Sequence, residues 1–285
     1  MVIRSPAKIN LYLEVLHRES DGFHRIRTIF QTVSLYDELI LTPLKESVFR
    51  VICSNPGVPL GNGNLIIKAL NALRDIVPFK KGLEIKLKKN IPLGAGLGGG
   101  SSNAASVLKG VNRLYRLDLK RSQLIQVAGA VSSDAPFFIF GGTALGRGRG
   151  DQITPLPRLK GIWILLIFPP VQINTGKAYL LFGKYGFPKR SFRLTNIENI
   201  SKIGLLLRRE KWSRLLYNSF EDPIFKEYPF LARLERYIKN EGFRNTLLSG
   251  SGSTVFVVLK DREEGRDLER RLRKFDCQTR LVRTI

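Results

Sequence analysis

The stretch Pro92-Leu93-Gly94-Ala95-Gly96-Leu97-Gly98-Gly99-Gly100-Ser101-Ser102 sets five glycines between a strand pattern and a helix pattern, and the fold turns on how it is read. Ahead of it, residues 83–88 alternate apolar and polar side chains as a half-buried strand does, and the alternation stops at Asn90-Ile91-Pro92. Behind it, Ala104, Ala105, Leu108, Val111 and Leu114 recur at helical spacing, with Ser101 or Ser102 available as the N-cap. Glycine reaches positive φ and, lacking Cβ, lets an anion come close to the amides. Free N–H groups at a helix start and the positive end of its dipole then favour phosphate. No lysine follows the last glycine in the common G-x-x-x-x-G-K-[ST] spelling. A flexible linker is the alternative for a glycine run, but a linker requires neither the strand before nor the capped helix after. The run therefore predicts a backbone cradle for phosphate in a nucleotide-handling enzyme.

At 285 residues the chain can fill a sizeable core in two lobes, and its 43% hydrophobic and 25% charged content is that of a folded protein. The longest apolar run, Ile162 to Phe168, stops at Pro169-Pro170 and reads as a buried strand rather than a membrane span. Strand-like alternation begins within the first ten residues, which predicts a cytoplasmic protein without a signal or transit peptide. Cys53 and Cys277 lie far apart and outside any C-x-x-C motif, and only His17 and His24 join them. They read as two reduced thiols; no metal-ligand cluster stands out, so a metal would arrive with the nucleotide.

The net charge of +23, from 47 Lys and Arg against 24 Asp and Glu, invites a nucleic-acid reading. The basic residues are scattered, however, with modest clusters at 184–193, 202–214 and 262–273. In the last of these Glu263, Glu264, Asp267 and Glu269 interleave with the arginines, as on a solvated helix face with i,i+4 pairs. The positive field would still attract polyphosphate substrates.

Periodicity predicts strands at 8–15, 31–41 and 47–53, and a helix from Asn64 to Ile76. A helix from Ser122, as its cap, to Val131 is expected to end before Pro136, which biases Ala135 away from helical geometry. A lobe boundary falls between Asp151 and Gly161, giving an amino-terminal lobe of 1–155 and a carboxy-terminal lobe of 156–285. Helices at 203–212, 229–240 and 262–274 and a glycine turn, Leu248-Ser249-Gly250-Ser251-Gly252-Ser253, complete the second half.

Four segments, Ser5-Pro6-Ala7-Lys8-Ile9-Asn10-Leu11, the glycine loop, Ser132-Ser133-Asp134-Ala135-Pro136 and the glycine turn at 248–253, follow one another in a familiar order. Together they resemble the superfamily of galactokinase, homoserine kinase, mevalonate kinase and phosphomevalonate kinase. Asp21-Gly22-Phe23-His24-Arg25, Thr28-Ile29-Phe30-Gln31, Asn64 to Lys68 and Gly141 to Gly148 narrow the likeness to the branch acting on a cytidine-diphosphate-linked methylerythritol.

That resemblance implies an α+β fold of two lobes, the first like ribosomal protein S5 domain 2 and the second ferredoxin-like, with the active site between them. It implies ATP as co-substrate with Mg²⁺, and phosphoryl transfer to the 2-hydroxyl of the methylerythritol moiety. Phosphoryl transfer needs positioning, charge neutralisation and a proton acceptor. By the resemblance, Asp134 is the base or orienting group and Lys8 the cation that stabilises charge on the reacting oxygens. Taken singly, Asp134 reads as a turn aspartate and Lys8 as an outward residue of an edge strand. Pro92 to Ser102 corresponds to the ATP phosphate loop, Asn64 to the nucleotide-base contact, although capping explains a helix-start Asn equally well. Asn10, Gly250 and Gly252 are expected near the substrate. His24 would hydrogen-bond the cytosine, with Phe23 and Tyr179 as the two rings sandwiching it; the branch usually has Tyr at position 23. A small-molecule substrate is expected, with no nucleic-acid or membrane partner. The rivals are a homoserine or mevalonate type of kinase and an RNA-binding protein.

Overall fold

The computed structural model describes residues 1–77, 79–185, 203–206 and 212–285. The alternation around Lys8 belongs to a long strand, β1 (Val2–Arg18), antiparallel to β2 (His24–Leu44) with Lys8 opposite Thr32. Register shifts between Pro6 and Ala7 and between Asn10 and Tyr12 interrupt the ladder on either side of Lys8. Such irregularities re-aim side chains, and these flank the two residues that enter the site. With β3 (Phe49–Ile52), β4 (Gly82–Lys88) and β8 (Tyr217–Asn218), the order is β3-β4-β2-β1-β8; β5 (Thr143–Arg147) pairs with β2 and with β6 (Gln152–Pro155).

Four helices cover one face of this sheet: α1 (Leu65–Ile76), α2 (Gly99–Leu114), α3 (Arg121–Val131) and α4 (Ala135–Phe140). Leu39, Leu41 and Ile85 of the strands meet Leu70, Leu73, Leu108, Val127 and Phe137 of the helices in one cluster. Gly99 and Gly100 open α2 and are poor helix formers. Val107, Leu108 and Val111 are closed to solvent and each contributes roughly 2 kcal/mol of burial. Packing thus fixes a helix whose first turn is intrinsically poor.

A second, antiparallel sheet has the order β11-β7-β10-β9, from β7 (Trp163–Phe168), β9 (Thr246–Leu248), β10 (Val255–Leu259) and β11 (Gln278–Arg283). Around it lie α5 (Thr175–Tyr185), α6 (Trp212–Leu215), α7 (Glu221–Glu227), α8 (Pro229–Asn240) and α9 (Arg262–Arg271). The two sheets are tied together. Strand β8 runs parallel to β1 at Tyr12 and Leu13, and at the other end Thr284 bridges to Val33.

Three local expectations are corrected. The N-cap of α2 is Gly98, at φ +67°, rather than Ser101 or Ser102. Ser102 Oγ instead donates to Pro6 O at 2.6 Å and accepts from Ser5 Oγ. Helix α3 begins one residue before Ser122, with Lys120 as N-cap, because Gln123 Oε1 takes the Lys120 N–H. Ala135 opens α4 with Pro136 beside it, the first-turn position where a missing N–H costs nothing. On α9, Asp267 pairs with Arg270 and Arg271, as a solvated face should. The expected basic stretch at 184–193 falls mostly outside the described residues; of the expected helix at 203–212, residues 203–206 and 212 are described and helical.

Candidate active site

Lys8 reaches the site from the middle of β1, between β2 and β8, and only 4% of it is exposed. It is no edge-strand lysine. Its Nζ donates to Asn10 Oδ1 (2.7 Å) and Gly96 O (2.9 Å) and stands 3.6 Å from Asp134 Oδ2. Asn10 lies two residues on, so the strand period puts it on the same face. Its Nδ2 donates to Thr28 Oγ1 (2.7 Å), which donates in turn to Tyr12 O. Burial pushes the Lys8 ammonium below the usual lysine range, and the Asp134 carboxylate opposes that fall. Asp134 is the residue before α4, and its side chain remains 31% exposed, facing both lysine and cavity.

The glycine loop curls around this pair. Gly94, Gly96 and Gly98 all have positive φ, the conformation that side chains resist. A Cβ on Gly96 would lie 2.1 Å from Ser249 O, so the loop and the turn after β9 touch backbone to backbone. The Lys8 N–H holds Leu97 O at 3.0 Å, and Ser249 Oγ donates to Gly96 O at 3.1 Å. At the loop's entrance the fully buried Asp37 pairs with Lys89 and accepts from the Asn90 and Ile91 N–H groups, both at 2.8 Å. Ser101 Oγ and Ser132 Oγ share a hydrogen bond of 2.7 Å at the start of α2.

Loop, Lys8, Asn10, Asp134, Gly250 and Ser251 line one cavity of about 1090 Å³ that runs on to Phe23, His24 and Tyr179. At this far end the His24 and Tyr179 rings stack on each other, centroids 4.8 Å apart and 18° from parallel. Phe23, 54% exposed, lies under the Arg149 guanidinium at 3.9 Å, and Arg149 pairs with Asp21. This end thus carries two separate stacks, His24 on a Tyr179 face and Arg149 on a Phe23 face. Burial and the nearby Arg18 lower the His24 pKa, which favours the neutral ring with one donor and one acceptor nitrogen. Burial, with Asp134 adding to it, pushes the Tyr179 hydroxyl up to about 12.

Not every expected residue lines the cavity. Asn64 caps α1, with Oδ1 accepting from Ile66 N (2.8 Å) and Nδ2 donating to Pro59 O (2.7 Å), and its neighbour Leu65 faces the cavity instead. Ser102 and Gly252 lie behind the wall, Ser102 held by Pro6 and Gly252 set against Ile173 and Leu248. Sequence reasoning passed over Arg18, Lys89, Ser132, Arg149 and Phe220, all of which line the cavity. Single arginines and lysines carry no signal in a chain with 47 of them.

Two stretches match kinase families: residues 64–142 the N terminal domain of GHMP kinases and residues 194–276 the C terminal one. The chain is 33% identical over 290 aligned positions to the 4-diphosphocytidyl-2-C-methyl-D-erythritol kinase of Geobacillus sp. (strain WCH70), covering 100% of this chain and 97% of the other. With the protein of that name from Geobacter sulfurreducens it shares 34% identity, covering 100% and 99%. A crystal structure of 4-(cytidine 5'-diphospho)-2C-methyl-D-erythritol kinase superposes with a TM-score of 0.82 at 30% identity, covering 100% and 99%.

Proposed function

The chain belongs to the 4-diphosphocytidyl-2-C-methyl-D-erythritol kinases, a family of GHMP kinases, and from that premise we propose how its own residues carry the reaction. It is an ATP-dependent kinase of isoprenoid precursor biosynthesis. In our reading residues 1–155 bind ATP and residues 156–285 complete the substrate site. The glycine loop receives the triphosphate, Lys8 and Asp134 flank the acceptor hydroxyl, and His24, Phe23 and Tyr179 receive the cytosine. The observation that carries this is the Lys8–Asp134 pair, 3.6 Å apart under the loop, in one cavity with His24 and two aromatic rings.

In the transfer step the 2-hydroxyl oxygen forms a bond to the γ-phosphorus as the bond from that phosphorus to the β-bridging oxygen breaks. The hydroxyl proton passes to the Asp134 carboxylate, and ADP leaves. Lys8, held by Asn10 and Gly96 O, keeps a positive charge beside the oxygen as it turns nucleophilic. Among the described residues no three His, Cys, Asp or Glu side chains gather as a metal site. The Ser101 hydroxyl is a hard oxygen donor that would suit Mg²⁺ carried on the nucleotide, leaving the Asp134 carboxylate for the proton. When bound, Mg²⁺ neutralises the phosphate oxygens. For the cytosine to be sandwiched, the His24 and Arg149 stacks must open. Phe23 retains the ring face but brings no hydroxyl.

An ADP-release assay across the cytidyl-methylerythritol, homoserine and mevalonate tests the reading. Turnover is expected with the first alone; turnover of either other alcohol would reassign the enzyme within the superfamily. An RNA-binding protein would give no turnover and salt-steep binding. Among the described residues, no helix is long and apolar enough to cross a membrane.

A further inference from the structure

The segment Tyr217-Asn218-Ser219-Phe220-Glu221 crosses from the second half of the chain to the first sheet, and its polar groups grip two walls of the cavity. Ser219 N donates to Leu13 O (2.9 Å), and Ser219 Oγ accepts from Val15 N (3.0 Å), fixing the segment to β1. From that anchor Asn218, 4% exposed, donates through Nδ2 to Leu248 O and to Gly250 O, both at 2.8 Å. Its Oδ1 accepts from Phe220 N at 2.9 Å. Both donor hydrogens and an acceptor are therefore committed. Glu221 Oε1 accepts from Leu248 N (2.9 Å), so the Leu248 residue is held on both its N–H and its C=O.

What hangs from this grip is the turn over Lys8. Gly250 has φ +58°, and a Cβ there would lie 3.1 Å from Gly96 O, 3.2 Å from Lys8 Nζ and 3.3 Å from Asn10 Oδ1. A side chain at this position would be crowded by the lysine, so only glycine backbone fits over it, and a shift of the turn away opens the space around the reacting oxygens. Gly250 and Ser251 both line the cavity, and among the described residues neither backbone N–H has an acceptor. Among the described residues Asn218 holds the Leu248 and Gly250 carbonyls, and Gly250 is the one beside the chemistry.

We infer that Asn218 is a positioning residue for phosphoryl transfer: its amide holds the Gly250–Ser251 turn at the spacing from Lys8 and Asn10 that the reaction needs. The inference rests on the kinase reading above. Asn218→Asp tests it, since the carboxylate keeps the acceptor for Phe220 N but turns an oxygen toward the two carbonyls. Misplacing reacting groups by about 1 Å can cost around 100-fold in rate, so kcat should fall roughly 10- to 100-fold, with both KM values within about threefold. Ser219→Ala, which removes the bond from Val15 N and the one to the Tyr217 hydroxyl but keeps both carbonyl contacts of Asn218, is the structural comparison: it should lower Tm and leave kcat near the parent value.

Asn218→Ser, which leaves room for a water on the carbonyls, is read in the same way should the Asp variant fold poorly. The idea is overturned if the Asp or Ser variant keeps kcat within twofold, if kcat falls only in proportion to folded protein, or if both variants unfold. A parent that releases no ADP with the cytidyl substrate overturns the kinase reading itself and this role with it, whereas failure at Asn218 alone leaves that reading standing.

Discussion

The two ends of the cavity are built on different principles. At the transfer end, Lys8, Asn10 and the glycine loop are bonded to one another and to the turn at Gly250, and backbone carbonyls do much of the holding. At the base end, His24 leans on Tyr179 and Phe23 on Arg149, with Phe23 half in solvent. The first arrangement is ready before substrate arrives, as electrostatic stabilisation of a transition state demands. The second must exchange ring against ring for a base. Under the proposed function, the contrast puts the rate at one end and substrate choice at the other.

Asp134→Asn should have the largest effect, lowering kcat by roughly two orders of magnitude or more, the scale for losing a general base, while binding of ATP and cytidine diphosphate persists. Near-normal turnover would show that the transfer end works by the Lys8 charge and position alone. Next in size is His24→Ala, which should lower kcat/KM for the cytidyl substrate by about 1 to 3 kcal/mol, because edges of the buried base lose their partner. Phe23→Tyr should be close to neutral in the same assay. A large gain in affinity would mean that a hydroxyl at 23, rather than the ring stack, limits the base end.

The smallest effect concerns the support of the Gly250 turn. Burial pushes the Glu221 carboxyl up to about 7 from its usual 4.5, with Asp222 and Glu235 adding to the rise and Lys239 and the Leu248 N–H opposing it. The folded value lies above the unfolded one, so the folded state favours the protonated acid. The stability this gives is complete below about pH 4.5 and is lost as pH rises through about 7. Thermal melts should show Tm falling across that window, and Glu221→Gln should flatten the fall while kcat changes little. An unchanged slope in the Gln variant would place the titration elsewhere.

How far the sequence revealed these ends follows from how each is built. The loop could be read because positive φ demands glycine, and the helices at 65–76 and 229–240 because periodicity marks a buried face. Lys8 and Asp134 stood out only jointly with the loop. The cap of α2 could not be read: Ser102 looks like a cap, yet its hydroxyl is claimed by Pro6 O, 96 positions away. Asn64 reads equally as a base contact and as a cap; its Oδ1 caps α1 and its Nδ2 donates to Pro59 O. Asp37 and Asn218 left no signal because their partners, Asn90, Ile91, Leu248 and Gly250, lie far along the chain. The ring stacks at the base end are equally non-local.

The division of labour is tested most directly by titrating ATP and cytidine diphosphate separately into the parent, Gly98→Val and His24→Ala. A Cβ at Gly98 would lie 3.0 Å from Phe138 and 3.2 Å from Lys8 Cε in a positive-φ position, so the valine should weaken ATP and spare cytidine diphosphate. The alanine at 24 should do the reverse. Should His24→Ala weaken ATP and leave cytidine diphosphate untouched, the two ends have been assigned the wrong way round, and the account of the cavity fails with them.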